Sequence, residues 1–155
     1  MKRHIAIISI ITGLVAAGAS ASVLQAQADK AAEILNVNTA SEANIAALPN
    51  MNAARAKAVV GKRPFAGVMA FDMFLVSQGL NRMQIGELYA RAFVPLDLNT
   101  GTRDEILLIP GVGTRMAREF LEYRPYKAIE QFRREIGKYV SKEEVARLER
   151  YVTIK

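Results

Sequence analysis

Cysteine and tryptophan do not occur in the 155 residues, and histidine occurs once, as His4. Without cysteine there is no disulfide framework. His4 falls in an N-terminal segment whose removal is argued below, which leaves a mature chain with neither Cys nor His. Ser-His-Asp and Cys-His catalysis are then excluded, together with nearly all zinc sites. Carboxylate, Lys, Tyr or Ser chemistry would remain, but no nucleophile–base pair is visible. The expectation is a protein that is not an enzyme and has no cofactor, no metal and no small-molecule substrate. Asp104-Glu105 is the one candidate metal pair, and it is rejected because both acids belong to a helix's first turn, where capping favours them.

Charge of one sign does not dominate either. Lys and Arg total 21 against 15 Asp and Glu, a formal +6. That balance permits nucleic-acid binding without demanding it. Hydrophobic residues at 51% and charged residues at 23% are ordinary globular proportions. The length fits one medium domain or two very small ones.

No apolar run is long enough to span a membrane. The longest, Ile5 to Ala17, is interrupted by Ser9, Thr12 and Gly13 and falls short of the roughly 20 residues a spanning helix needs. Its length suits the central region of a secretory signal, with Lys2 and Arg3 as the positive start. Small-x-small cleavage sites end at Ala21 (Ala19-Ser20-Ala21) and at Ala28 (Ala26-Gln27-Ala28). The second is favoured, because polar sequence begins at Asp29. Residues 1–28 therefore read as a signal peptide, and the mature protein as periplasmic or secreted. Loss of Lys2 and Arg3 lowers the basic count from 21 to 19 against an unchanged 15 acids, a net +4.

The mature chain repeats itself. A shift of 61 residues sets Leu35 against Leu96, Asn38-Thr39 against Asn99-Thr100 and Ile45 against Ile106. Further on, Pro49 meets Pro110, Ala56 meets Ala117, and Arg63-Pro64-Phe65 meets Arg124-Pro125-Tyr126. With one residue dropped, Leu88 meets Leu148. The two units, 29–95 and 96–155, abut at Val94-Pro95-Leu96 with no long linker.

Each unit reads as short helices joined by tight turns. Thr102 with Glu105 is a capping-box pattern, and Ile106 and Ile109 form the apolar face behind it. Ala117 and Phe120 lie on one face of a helix that begins near Thr114 and ends by Arg124, ahead of Pro125. A third helix runs from about Ala128 to Ile136 with Gly137 at its C-terminal cap and a Glu130–Arg134 pair along it. Ser141 and Glu144 suggest another capping box, with Val145 and Leu148 inward and Glu143 paired with Arg147. No stretch alternates with a sustained period of two. The expected fold class is all-α, two tandem units of short helices behind the signal peptide.

Ile109-Pro110-Gly111-Val112-Gly113 is the most informative turn. Gly111 and Gly113 permit positive φ and close approach of another backbone. The turn ends at a helix N-terminus, where free amides and the helix dipole favour a phosphate. Arg115 lies in that helix's first turn, where the dipole alone would prefer an acid, and Arg118 lies one turn on.

The stretch LDLNTGTRDEILLIPGVGTRMAREFLEYRPY resembles the helix-hairpin-helix domain of the ComEA family, exported competence DNA receptors. The family's pattern is an N-x-N-T-A opening, an acidic pair before an apolar residue, L-P-G-I/V-G, a basic residue, Ala and a Y-R ending; here Asp97 and Ile109 stand at the first Asn and the Leu of that pattern. The first unit opens LNVNTAS, which fits the same beginning. Covering roughly residues 36–155 in tandem, the resemblance implies helix-hairpin-helix motifs that grip DNA phosphates through hairpin amides. It carries over to Gly111, Val112, Gly113 and Arg115, and more weakly to Thr114 and Arg118.

The first unit departs from the pattern. Pro49-Asn50-Met51-Asn52 stands where glycines belong, so Asn50, Asn52 and Arg55 are weaker DNA-binding candidates. Asn tolerates left-handed geometry, but its side chain obstructs a phosphate. Met51, Met69, Met73 and Met83, with Phe65, Phe71, Phe74 and Phe93, are expected to fill the first unit's core. The apolar run Phe71 to Val76 is a candidate for packing between units. Arg133-Arg134 and Lys138 offer either an extended DNA track or a solvated face shared with Glu130 and Glu135.

The sequence therefore points to an exported, non-sequence-specific double-stranded DNA-binding protein, with a place in DNA uptake. The alternative is a periplasmic protein-interaction or scaffold module, with an envelope protein as partner, that keeps the fold without binding DNA.

Overall fold

The computed structural model describes residues 34–155, so the expected signal peptide and its cleavage sites lie outside the described residues. The first repeat runs β1 (Leu35–Asn36), α1 (Glu42–Ala46), α2 (Ala53–Lys62), α3 (Val68–Ser77), α4 (Arg82–Tyr89) and β2 (Ala92–Phe93). The second runs β3 (Leu96–Asp97), α5 (Arg103–Leu107), α6 (Thr114–Glu122), α7 (Ile129–Ile136), α8 (Lys142–Glu149) and β4 (Val152–Thr153). The described residues are thus mainly helical, with the same order of elements twice.

The strands amend a purely helical expectation. β1 pairs in parallel with β2, Leu35 opposite Ala92, and β3 pairs in parallel with β4, Leu96 opposite Val152. Each repeat is closed on itself by its own first and last residues. A two-residue strand is too short to show a period-two pattern, so sequence periodicity misses it.

Helix starts follow their caps. The Thr102 side chain accepts from the Glu105 amide while Glu105 Oε2 accepts from the Thr102 amide at 2.9 Å, a complete capping box. Asn81 and Gln84 make the same arrangement at α4. The box expected at Ser141 is half formed. Ser141 Oγ accepts from the Glu144 amide, but the Glu144 carboxylate turns to Arg147, at 2.7 Å from both Nε and Nη2. Arg147 therefore pairs with Glu144 and not with Glu143. On α7, Glu130 meets Arg133 rather than Arg134, and Arg134 meets Glu135. Residues at i, i+3 are as near on a helix as those at i, i+4. Glu149 on α8 also draws Arg133 to its side, at 2.6 Å. Gly137 caps α7 with φ −61°, not a left-handed angle. Its role is space, since a Cβ there would lie 2.7 Å from the Arg133 carbonyl oxygen.

The repeated Asn has a mechanical task. Asn38 Nδ2 donates to the Phe65 carbonyl at 3.0 Å and its Oδ1 accepts from the Phe65 amide at 2.9 Å. Asn99 does the same to Tyr126, at 2.9 and 2.7 Å. One amide side chain thus satisfies both polar groups of a residue 27 positions away. The paired recurrence of N-T and R-P-F/Y is a single long-range contact, made twice.

Buried apolar residues from every helix form one continuous core. Aromatic rings carry it across the repeats: Phe71 meets Tyr89, Tyr89 meets Phe93 at 5.2 Å, and Phe93 meets Tyr151 at 5.1 Å, both of the last pairs edge to face. The Tyr151 hydroxyl donates to the Tyr89 carbonyl, 62 residues away. α3, which holds the apolar run, packs against α5. Phe65, Phe71 and Phe93 are buried as expected. Phe74 and Met51 are half-buried against the core, whereas Met73 is 68% and Met83 71% exposed. Apolar composition did not reveal which face of the helix each would occupy.

Candidate functional site

The second hairpin is built by the turn between α5 and α6. Its first bend is closed by the Val112 amide donating to the Ile109 carbonyl at 3.0 Å. Gly111 takes φ +80°, the left-handed region that glycine tolerates. Gly113 is the N-cap of α6 at φ −95°, an angle open to any residue. Of the two glycines, only Gly111 therefore needs its backbone freedom. Val112 is buried in the core and carries the turn's packing.

Gly113 has no side chain with which to cap α6, and the helix's first turn holds no acid. A Cβ added to Gly113 would meet nothing within 4 Å, so the approach to these amides is open. Beside the opening, Arg103, Thr114, Arg115, Arg118 and Leu121 line a surface groove of about 390 Å³. Three of those five residues are cationic, and none is acidic. Arg103 comes from α5, which the hairpin folds back alongside α6.

Glu119 lies beneath this surface. Its side chain is only 4% exposed, while that of Arg118, which contacts it at 3.1 Å, is 70% exposed. The Tyr139 hydroxyl donates to Glu119 and is the main cause that holds its carboxyl below the usual range. Burial opposes this, and Arg118 and Arg115 add to the lowering. Tyr139 in turn meets the Tyr123 hydroxyl at 2.7 Å, and Lys138 sits over the Tyr123 ring. Arg118 is thus tethered at one edge by a buried, ionised acid.

The first hairpin has the same path and different contents. Asn50 takes φ +61° in the place of Gly111, and its Nδ2 donates to Glu87 Oε2 at 2.8 Å and to the Gln84 carbonyl. Asn52 caps α2, its Oδ1 accepting from the Arg55 amide at 2.9 Å. Arg55 Nη1 donates to the Asn50 carbonyl, also at 2.9 Å. Asn50, Asn52 and Arg55 are therefore bonded to one another or to α4. By the 61-residue shift, Glu42, Ala54 and Lys57 occupy the positions of Arg103, Arg115 and Arg118. The formal charge of that trio falls from +3 to zero.

Gly111, Val112, Gly113, Thr114, Arg115 and Arg118 are thus brought together in one place, with Arg103 added by the fold and Glu119, on α6 itself, held beneath them by Tyr139. Sequence reasoning missed both, because local spacing shows neither that α5 folds alongside α6 nor that Glu119 is buried. The basic cluster is otherwise engaged: Arg133 pairs with Glu149 and Glu130, and Arg134 and Lys138 both pair with Glu135. The buried Asp72 accepts from Arg82 and from the Tyr89 hydroxyl, which makes it an anchor between α3 and α4. Among the described residues no group of acids, His or Cys is placed to hold a metal ion, and no helix is long and apolar enough to cross a membrane. Comparison with known proteins finds no matching family model, curated protein or solved structure.

Proposed function

We propose that the second repeat binds the phosphate backbone of double-stranded DNA without sequence preference. In this reading α5, the Gly111–Gly113 turn and α6 form a working helix-hairpin-helix element, of the kind the ComEA resemblance implies. The observation that carries it is the uncapped N-terminus of α6 opening beside a groove lined by Arg103, Arg115 and Arg118. Unpaired amides and a helix dipole attract an anion, and guanidinium groups suit phosphate oxygens geometrically. Contact through phosphates alone gives no base readout, so binding is indifferent to sequence. The proposal includes export, with residues 1–28 removed as a signal and the mature protein acting in the periplasm or outside the cell.

Titration of the chain against unrelated duplexes, followed by fluorescence anisotropy, tests the binding. Affinity should be alike for all sequences and fall with salt at a log–log slope of about −2 to −4, near −0.9 per phosphate contacted. Arg115→Glu should abolish most of the binding with the far-ultraviolet circular dichroism unchanged. No binding at low salt would overturn the reading. Mass spectrometry of the protein from envelope fractions should show a start at Asp29, or at Ser22 if the earlier site is cut.

A second reading rests on Met73, Val76 and Met83, which are 68%, 45% and 71% exposed on α3 and α4 of the first repeat. Exposed, adaptable methionines suit a protein partner, and in the first hairpin Asn52 already caps the Arg55 amide. In that case the chain is an envelope interaction module, and DNA titration would be flat.

A further inference from the structure

The two hairpins differ at a position outside the hairpins themselves. A Cβ built on Gly111 would lie 3.2 Å from Arg147 Nη2, so the guanidinium of Arg147, on α8, sits directly against the turn. The shift that sets Leu88 against Leu148 sets Glu87 against Arg147, and Asn50 stands against Gly111. In the first repeat the pair is Asn50 donating to Glu87; in the second it is a bare glycine facing an arginine. The same seat holds an amide side chain against a carboxylate in one repeat, and a bare glycine against a guanidinium in the other.

Arg147 is held in place by its neighbours on α8 and beyond it. Glu144 grips its Nε and Nη2, both at 2.7 Å, and its guanidinium lies 5.8 Å from the centre of the Tyr151 ring. A guanidinium has five N–H donors; Glu144 takes two of them and Tyr151 accepts from the group as well, which leaves donors for a further acceptor. Its side chain keeps 32% of its surface in solvent. A tethered arginine loses little conformational freedom when an anion arrives.

We infer that Arg147 is a further phosphate-binding residue of the second hairpin, approaching from α8 on the Gly111 side, while Arg103, Arg115 and Arg118 serve the α6 side. The Asn50–Glu87 pair closes the matching seat of the first repeat. This rests on the proposed DNA binding and adds a contact that the hairpin sequence alone does not contain.

The test compares the full chain with its Arg147→Gln and Arg147→Lys variants, titrated with one random-sequence duplex over a range of salt. Arg147→Gln should weaken binding on the order of tenfold at low salt and make the salt slope shallower by about 0.9, one phosphate contact. Arg147→Lys should keep the slope. A slope unchanged in Arg147→Gln, with binding by the unaltered chain intact, overturns this inference and leaves the DNA reading standing. No binding by the unaltered chain overturns both. A measurement without variants guards against misfolding: the Arg147 Nε–Hε resonance should move with that of Arg115 as duplex is added. An unmoved Arg147 signal beside a moving Arg115 signal also overturns the inference.

Discussion

Tyr126 is held through its backbone by Asn99, yet its hydroxyl is buried and has no partner among the described residues. An unsatisfied buried hydroxyl costs about 1–3 kcal/mol. The matching residue of the first repeat is Phe65, which makes the same Asn contacts with no hydroxyl to satisfy. Tyr126→Phe should therefore raise stability by about 1 kcal/mol, read from the urea midpoint. Arg55 makes the opposite case. Its guanidinium serves the Asn50 carbonyl, so Arg55→Ala should cost about 1 kcal/mol in the first repeat. The salt slope of DNA binding should not move. A shallower slope would place Arg55 on the DNA instead.

At the scale of elements, the two glycines of the second hairpin separate fold from function. Gly111 is left-handed and crowded by Arg147, so Gly111→Ala should lower stability by about 1–2 kcal/mol. Gly113 has an ordinary backbone angle and empty space before it. Gly113→Asn would copy Asn52, whose side chain caps α2. It should raise stability by a few tenths of a kcal/mol, yet weaken DNA binding severely, because the new cap occupies the amides a phosphate needs. Thermal melts and anisotropy on that single variant should move in opposite directions. Loss of stability together with binding would mean that Gly113 is structural.

At the scale of the whole molecule, the carboxyls that neighbouring groups hold low lie in the second repeat among the described residues. Hydrogen bonds from Tyr139, Lys138, Arg147 and Arg133 hold the carboxyls of Glu119, Glu135, Glu144 and Glu149, respectively, below their ordinary 4.5. A carboxyl lowered in the folded state stabilises the fold above its unfolded value and loses that contribution as pH falls through the folded one. Stability should therefore be flat above about pH 5 and decline below about 4.5. Burial raises the Tyr89 and Tyr126 hydroxyls above their ordinary 10. Their contribution is complete below pH 10 and is lost at more alkaline pH. Urea midpoints across pH 3–6, with amide resonances of both repeats followed, should show losses starting in α6–α8. A decline beginning in the first repeat would contradict this assignment.

Much was decided by the sequence itself. The 61-residue repeat, the capping box at Thr102, the turn at Gly111 and the stop before Pro125 all act over a few residues, where local sterics and hydrogen bonding prevail. The left-handed Asn50 is of the same kind, since Asn tolerates that angle. Tertiary structure decided the contacts between distant residues. The Asn38–Phe65 and Asn99–Tyr126 clamps, the β1–β2 and β3–β4 closures and the aromatic chain to Tyr151 join positions too far apart for any local period to link. Ion pairs also lay beyond local spacing, because several bases and acids compete within one or two turns and packing against another helix selects among them, as Glu149 does for Arg133. The candidate site divides the same way. Its amides, Arg115 and Glu119 belong to one turn and the helix that follows it, while Arg103 and Arg147 join them because α5 and α8 fold alongside.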